Sequence, residues 1–345
     1  MIGRSRIAAG VLALALLVAI PVGCGDDEEP SVGSPERFDL ALDFSINPDH
    51  AGIYTALEEG YFDEAGLDVR PQVPSDPSAP IKQVAAGQVD LAISYEPEVM
   101  LARDQGLDVV AVGALVHGPL TSLISLPEAG IDEPADLAGK TVVTAGIPYQ
   151  SAYLETILRD AGVDSGSVEE VAVGFNLLQP LLAGRADAML GGFLNVEGVD
   201  LAERGENPRV VPVDRLGIPT YDELVLVADG DRLREDPEPI RAFLAALERG
   251  TLAAAGDPDA ATEALLAVDD ALDPELTRAQ VDATLPRLLL PRLPTPVGEE
   301  QAGPPFGYMD PAQWRRFGAF LAEEEQIDAP PSPEDLLTND LLPGG

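Results

Sequence analysis

The 345-residue chain is poor in several reactive residue types. It has one cysteine, one tryptophan, two histidines and two lysines, Lys82 and Lys140. A single cysteine excludes a disulfide framework within the chain. So few histidines and cysteines also leave little material for a metal centre built on imidazole and thiolate ligands.

Basic residues are scarce in comparison with acidic ones. The chain carries 60 Asp and Glu against 21 Lys and Arg, for a formal net charge of -39. This charge argues strongly against nucleic acids and anionic membrane surfaces as partners, since both would repel the protein. The arginines are scattered and form no cluster, so a highly anionic ligand is disfavoured too. We interpret the acidity as a solubility feature of an exported protein.

The long apolar run of the sequence lies at its beginning. Arg4 and Arg6 precede an uninterrupted apolar stretch over residues 7–22. A short apolar run behind a basic start is typical of a signal peptide, and it is too short for a lasting membrane span. We predict a signal peptide over residues 1–23.

The lone cysteine, Cys24, directly follows this run and has a small residue, Gly23, before it. This arrangement resembles the lipobox of bacterial lipoproteins, although Pro21 stands where an aliphatic residue is usual. We predict that Cys24 is lipidated and anchors an exported protein to the outer face of the cytoplasmic membrane. The alternative is an incidental thiol beside an ordinary cleavage site. Residues 24–36, polar and rich in Pro and Gly, are predicted to be a flexible tether.

Strand-like and helix-like segments alternate along the rest of the chain, which predicts an α/β fold. The predicted strands cover residues 38–44, 66–70, 89–94, 109–115, 141–144, 168–173, 186–190 and 222–228. The predicted helices cover residues 52–60, 78–86, 151–161, 177–183 and 237–254, with further helices to residue 342 and an extended proline-rich loop over 286–305.

The alternating pattern restarts near residue 141, so we predict two lobes. About 310 residues remain after the signal peptide and tether, enough for two lobes of ordinary size. We place lobe 1 at residues 37–122 and 223–342, and lobe 2 at residues 123–222. A hinged cleft between the lobes, with a helical C-terminal region, fits a binding protein, while the pattern alone leaves a two-domain enzyme open.

Several phrases carry a family resemblance, in the same order along nearly the whole chain. They are DFSINPDH at 43–50, EGYF and GLDV within 59–69, SYEPE at 94–98, GIPY at 146–149, VGFNL at 173–177, GGFLNVEGV at 191–199, PTYDEL at 219–224, and FGYMDP followed by Trp314. The chain resembles the NMT1/THI5-like, pyrimidine-precursor-binding branch of the periplasmic-binding-protein superfamily, which serves thiamine salvage importers.

The resemblance implies a two-lobed, type II periplasmic-binding-protein fold without a cofactor. It implies the solute-binding component of an ABC importer, a monomer that closes on a hydroxymethyl- or formylaminomethyl-pyrimidine and delivers it to an ABC permease. The alternatives are riboflavin, another heteroaromatic or a small organic solute. The hypothesis of a sulfonate or nitrate-like ligand is weakened by the absence of a basic cluster. A role as a sensor without transport is a further alternative.

The same family has an enzyme branch, a pyrimidine synthase that consumes a pyridoxal phosphate held on a lysine. Aligned with that branch, Ser94 stands at the lysine position and Glu98 at a histidine position, and the cysteine-rich segment is missing. A Schiff base needs an amine, and a one-electron site needs metal ligands. We therefore predict that this chain is not an enzyme.

In a fold of this kind, the ligand lies in loops after the carboxyl ends of strands. The candidate ligand-binding residues are Asp43, Phe44, Asn47, His50, Tyr95, Tyr149, Asn176, Phe193, Asn195, Glu197 and Tyr221. Phe44 and Tyr95 offer aromatic faces, Asp43 or Asn47 can pair with an amine or a ring nitrogen, and Glu197 can accept from the donor edge of the ligand.

Each main candidate also has a structural alternative. Phe44 is also typical of a core aromatic, His50 of a helix cap, Glu197 of an acid at a helix start, and Tyr221 of a hinge support. Tyr95 is equally compatible with an interface residue whose hydroxyl is hydrogen-bonded. His117, Tyr308 and Trp314 are predicted to be structural.

Overall fold

The computed structural model describes residues 35–289 and 303–344. The predicted signal peptide, Cys24 and nearly all of the predicted tether lie outside the described residues, as does most of the predicted proline-rich loop. No helix in the described ranges combines the length and apolar character needed to cross a membrane.

The strands and helices alternate as predicted. The strands are β1 Glu36–Ala41, β2 Leu67–Gln72, β3 Leu91–Ser94, β4 Val109–Val116, β5 Thr121–Ser125, β6 Thr141–Thr144, β7 Glu169–Ala172, β8 Ala188–Phe193, β9 Arg209–Pro212 and β10 Leu224–Asp229. The helices are α1 Ala51–Glu58, α2 Tyr61–Glu64, α3 Ala79–Ala85, α4 Glu96–Asp104, α5 Pro148–Asp160, α6 Leu178–Leu182, α7 Glu197–Glu203, α8 Gly230–Glu235, α9 Glu238–Gly256, α10 Pro258–Leu266, α11 Pro274–Leu288 and α12 Pro311–Glu323.

These strands form two five-stranded sheets with the same plan. The first sheet has the order β2-β1-β3-β10-β4, and the second has the order β7-β6-β8-β5-β9. In the first sheet β10 runs antiparallel to β3 and β4, and in the second β5 runs antiparallel to β8 and β9. The parallel strands β1 and β3, and likewise β6 and β8, therefore end at a common edge of each sheet.

The chain passes from the first sheet to the second between Val116 and Thr121, and returns between Pro212 and Leu224. Glu223, at the return, accepts hydrogen bonds from the backbone N–H groups of residues 120 and 121 at 2.7 and 2.8 Å. Burial raises the pKa of Glu223 to about 7. The two crossings are thus tied to each other. The lobe boundaries near residues 122 and 222 stay a prediction, which is compatible with these crossings.

The C-terminal region packs onto the return crossing. Trp314 of α12 is fully buried, and its indole N–H donates to the carboxylate of Asp222 over 2.7 Å. The Nδ1 atom of His117 lies 3.3 Å from the other oxygen of that carboxylate. Glu96 accepts from the backbone N–H of Asp222 and from Gln313 of α12. The structure thus places His117 and Trp314 in structural positions.

Two glycines allow helices α1 and α9 to pack closely against each other. A Cβ atom added to Gly250 of α9 would lie 2.3 Å from the carbonyl oxygen of Gly52 in α1. Phe243 of α9 stacks between Phe38 of β1 and Phe62 of α2, with ring centroids 5.1 and 5.0 Å away. This packing holds β1 in place, and β1 leads directly into the candidate site.

The sequence patterns did not predict strands β5 and β9 or helices α2, α4, α7 and α8, and some predicted boundaries were wrong. Strand β8 continues to Phe193 rather than ending at Leu190, because β5 pairs along its second half and provides hydrogen-bond partners for that half. Helix α5 begins at Pro148 rather than Ser151, since proline is favoured in the first turn of a helix. Pro286, predicted to open a loop, lies inside α11.

Candidate functional site

A cleft lies at the carboxyl ends of β1, β3, β6 and β8. We call its two sides the first wall and the second wall. The first wall comprises Asp43, Phe44, Asn47, Pro77 and Tyr95. The second wall comprises Ala145, Ile147, Gln150, Gly174, Phe175, Leu177, Gly191, Phe193, Val196 and Glu197. The predicted site residues Asp43, Phe44, Asn47, Tyr95, Phe193 and Glu197 are thus brought together.

The first wall is organised around the buried carboxylate of Asp43. One of its oxygens lies 2.9 Å from Nε2 of His50, and the other accepts the hydroxyl proton of Tyr95 over 3.1 Å. The Nδ1 atom of His50 accepts the backbone N–H of Asn47 at 3.3 Å, so Nε2 carries the proton and donates to Asp43. His50 therefore lies behind the wall and orients the carboxylate.

Asn47 is held just as firmly. Its side-chain oxygen accepts the backbone N–H of Asp49 at 2.8 Å, and its side-chain nitrogen donates to the carbonyl of Ser45 at 3.0 Å. These contacts cap the short helical turn at residues 48–50 that leads into α1. The alternative prediction was that His50 caps the following helix. His50 stands at the N-cap position of α1, but its side chain makes no capping hydrogen bond there, and its Nδ1 atom serves the short turn before that helix instead.

The second wall contains Glu197 at the first position of α7. Its carboxylate accepts the backbone N–H of Phe193 over 2.7 Å, which closes the turn between β8 and α7. Burial raises the pKa of Glu197 to about 7. A carboxylate can accept several hydrogen bonds, so Glu197 combines this structural role with capacity for a donor in the cleft.

Aromatic rings from both walls meet in the cleft. Phe44 of the first wall and Phe175 of the second pack edge to face, with ring centroids 4.6 Å apart. Both are only partly buried, as is Phe193. Flat apolar surfaces of this kind are suited to a planar ligand. Phe44 is thus part of the lining rather than of the closed core.

A buried polar contact joins the two sides of the molecule behind the cleft. The side-chain nitrogen of Asn195, which is fully buried, donates to Asp49 and to Thr284 of α11, both at 2.7 Å. Gln280 of α11 donates to the carbonyl of Val196 at 3.0 Å. Burial, with the charge of Asp43 nearby, raises the pKa of Asp49 well above its usual range. Asn195 thus positions the turn that carries Phe193 and Glu197.

The remaining predicted site residues lie outside the lining. Tyr149 and Tyr221 are buried in a chain of rings that starts at Tyr95, passes through Tyr153 and reaches α12. Asn176 is exposed beside the cleft. For these residues, and for His50 and Asn195, a direct ligand contact stays a prediction.

Gln150, Phe175 and Pro77 also line the cleft, although they were not among the predicted site residues. Phe175 lies within the VGFNL phrase, and Gln150 directly follows the GIPY phrase, so both positions were within reach of the motif reading. Pro77 lies in the loop before α3 and carried no signal.

The lining has acidic but no basic side chains, at least among the described residues: Asp43 and Glu197 contribute carboxylates, and no lysine or arginine faces the cleft. Such a surface disfavours phosphate or sulfonate groups and suits a neutral or amine-bearing ligand. Over residues 35–289 and 303–344, no group of three or more His, Cys, Asp or Glu side chains is arranged to hold a metal ion.

Comparison with known sequences identifies the family. The sequence model of the family described as NMT1/THI5 like matches residues 47–261. The chain belongs to the NMT1/THI5-like family. Within it, the formylaminopyrimidine-binding protein of Halalkalibacterium halodurans is 34% identical over 330 residues, which cover 95% of this chain and 96% of that protein. The family predicted from the sequence phrases is confirmed.

This NMT1/THI5-like protein is also similar to enzymes, at lower identity. The 4-amino-5-hydroxymethyl-2-methylpyrimidine phosphate synthase of Aspergillus parasiticus is 27% identical over 241 residues, which cover 67% of this chain and 70% of the enzyme. Family membership by itself therefore does not separate binding from catalysis.

Among solved structures, the alkanesulfonate-binding protein SsuA from Xanthomonas axonopodis pv. citri, bound to MOPS, has a TM-score of 0.67. The alignment covers 89% of this chain and 99% of that protein, at 13% identity. At this identity the likeness concerns the fold. The predicted α/β, periplasmic-binding-protein-like fold is confirmed.

Proposed function

We propose that this protein is the solute-binding component of an ABC importer and that its ligand is a thiamine-related aminopyrimidine, the hydroxymethyl or the formylaminomethyl compound. The observation that carries the proposal is a cleft lined by aromatic faces and by the half-buried Glu197, without a basic side chain in its described lining. An aminopyrimidine offers a flat ring to Phe44 and Phe175 and an amine to Glu197. The name of the Halalkalibacterium relative supports the same ligand class.

Binding without catalysis is part of the proposal. Ser94, at the position that corresponds to the lysine of the enzyme branch, donates its hydroxyl to Glu98 over 2.8 Å. It is buried and lies outside the cleft lining. A serine engaged in this way offers no amine for a Schiff base.

The ligand would act by favouring closure of the two predicted lobes, because it contacts both walls at once. The closed form would then be recognised by the ABC permease. A ligand of about ten heavy atoms, at about -1 kcal/mol per atom, allows micromolar to nanomolar affinity. Export and anchoring through lipidated Cys24 belong to this proposal and place the protein at the outer face of the cytoplasmic membrane, as a monomer.

Isothermal titration of the purified protein with the two pyrimidines, thiamine and riboflavin tests the proposal. We expect micromolar or tighter binding of at least one of the two pyrimidines. Binding heat with riboflavin or another solute, and none with the pyrimidines, would contradict the proposed pyrimidine ligand. A role in solute binding would still stand. Conversion of a bound pyrimidine into a new product, followed by mass spectrometry, would contradict the non-catalytic role.

A further inference from the structure

Gln150 of the second wall is in an unusual position for a polar side chain. It lies in the first turn of α5, is only 2% exposed and lines the cleft. A buried amide is stable only when its polar atoms are satisfied or reserved for a partner. The contacts of Gln150 therefore indicate what its amide is for.

The orientation of the Gln150 amide is determined by the backbone. Its side-chain oxygen accepts the N–H of Ala145, at the end of β6, over 2.9 Å. A backbone N–H can only donate, so the oxygen must face Ala145 and the amide cannot be flipped. The side-chain nitrogen, Nε2, must then point the other way.

Gly191 provides the space for that nitrogen. A Cβ atom at Gly191 would lie 2.6 Å from Nε2 and 3.1 Å from Cδ of Gln150. Gly191 also has a φ of +118°, at the irregularity where β8 pairs with β5. Both the backbone conformation and the close approach require glycine there. The strand is thus shaped to receive the amide.

The Nε2 atom has unused donor capacity. Within the described residues it makes no hydrogen bond, and it is not among the fully enclosed atoms that lack a partner. In contrast, both polar atoms of the Asn47 side chain are bonded within the protein, and both oxygens of Asp43 accept hydrogen bonds. The Nε2 atom of Gln150 therefore has both of its N–H groups available, whereas the side-chain nitrogen of Asn47 already uses one of its two.

We propose that Gln150 is a specificity-determining residue, whose Nε2 donates a hydrogen bond to an acceptor atom of the bound ligand. This inference rests on the proposed function and deepens it. Because Glu197 accepts and Gln150 donates, the site selects neutral ligands with both a donor and an acceptor, such as an amine and a ring nitrogen or a hydroxyl or formyl oxygen. A ligand that has only a donor or only an acceptor leaves either Gln150 or Glu197 without a hydrogen-bond partner.

The direct test is Gln150→Glu at pH 8. Glutamate has the same shape and keeps an oxygen for the N–H of Ala145, but it removes the donor. We expect the affinity for 4-amino-5-hydroxymethyl-2-methylpyrimidine to fall at least 30-fold, and the melting temperature to fall as well, because the new carboxylate is buried. Gln179→Glu, on the exposed side of α6, introduces the same charge outside the lining and is expected to bind normally.

Ligand analogues separate a lost hydrogen bond from a structural effect. One analogue has C–H groups in place of the ring nitrogens, and another has a methyl group in place of the hydroxymethyl group. The protein is expected to bind at least one of them at least tenfold more weakly than the parent compound, and Gln150→Glu is expected to lose that discrimination. This difference between ligands applies even if the variant is somewhat less stable.

The outcomes distinguish the two proposals. If the unaltered protein binds neither the hydroxymethyl- nor the formylaminomethyl-pyrimidine, the proposed function fails. If it binds one and Gln150→Glu binds it within threefold, or keeps full discrimination between the analogues, the role of Gln150 is refuted while the proposed function stands.

Discussion

The two walls of the cleft use their polar groups differently. In the first wall, Asp43 is bonded to His50 and Tyr95, and both ends of the Asn47 amide are bonded nearby. In the second wall, Gln150 keeps its donor, and the carboxylate of Glu197 accepts hydrogen bonds only from backbone N–H groups within the described residues, among them that of Phe193. The polar groups of the first wall mostly form hydrogen bonds within the protein, whereas those of the second wall keep hydrogen-bonding capacity for a ligand.

This difference separates positioning from selection. A rigid wall limits the ordering that a ligand must cause on binding, because its side chains already have their final orientation. A wall with unused polar groups discriminates between ligands, because a ligand without the matching groups leaves those polar groups without a hydrogen-bond partner. Changes to the polar groups of the first wall are therefore expected to act mainly on stability, and changes to those of the second wall mainly on affinity.

The largest expected effect is that of Glu197→Ala. The amine of a bound pyrimidine would lose its acceptor, so we expect binding about 100-fold weaker, or about 2.8 kcal/mol. Titration calorimetry measures the change. Glu203→Ala, at the exposed end of the same helix, is the matched control. A loss below threefold for Glu197→Ala would remove it from the ligand site.

The next effect is on the pH dependence of stability, and it involves Glu98, which is buried next to the strand that precedes Tyr95. Glu98 accepts the hydroxyl of Ser94, and burial raises its pKa from 4.5 to about 7. The folded state therefore binds more protons than the unfolded state between these values. The contribution of Glu98 is fully present below pH 4.5 and is lost as the pH rises through 7.

In Glu98→Gln, the acceptor for Ser94 remains and the titration disappears. We expect the free energy of unfolding of the unaltered protein to fall between pH 5 and 8 by roughly 2 kcal/mol more than that of the variant. Urea denaturation across this range measures the difference. Glu59→Gln, an exposed substitution of the same type, is expected to keep the slope of the unaltered protein. Parallel curves for Glu98→Gln would contradict the prediction.

Tyr95→Phe tests the first wall itself. It removes the hydroxyl that donates to Asp43 and keeps the ring. We expect a loss of about 1.5 kcal/mol in stability, because the buried carboxylate loses a partner, and affinity within about threefold. Chemical denaturation and titration are measured side by side, with Tyr61→Phe, beneath the guanidinium of Arg249, as the control. A tenfold loss of affinity at unchanged stability would break the contrast between the walls.

The smallest effect is expected for Asn176→Ala. Asn176 is exposed and lies outside the lining, although its neighbours Phe175 and Leu177 belong to it. Affinity should change less than about twofold, and stability by less than about 0.5 kcal/mol. A loss above fivefold would show that Asn176 reaches the ligand in the closed form.

Much of the first wall was predictable from the sequence. Asp43, Phe44 and Asn47 follow the first strand, and Tyr95 follows the third, so their places at one sheet edge follow from the alternation of strands and helices. The order of the family phrases predicted the family. These features depend on residues close together in the chain, where propensity and spacing act directly.

The second wall was predicted less completely, because its geometry depends on pairing between distant segments. Strand β5 is short, and its pairing with β8 decides that Phe193 ends a strand and that Gly191 forms an irregularity. Asn195 meets Asp49 across 146 positions of sequence. Local patterns contain no record of such contacts.

The amino-acid sequence alone therefore decided the fold class, the family and which strand ends supply the candidate site. Hydrophobic periodicity and turn residues act over a few neighbouring positions, so a single sequence is enough to recognise them. Only the tertiary structure decided which polar atoms form hydrogen bonds within the protein and which remain available to a ligand. Hydrogen bonding is directional and short-ranged, so the free donor of Gln150 became visible only when Ala145 and Gly191 were placed around it.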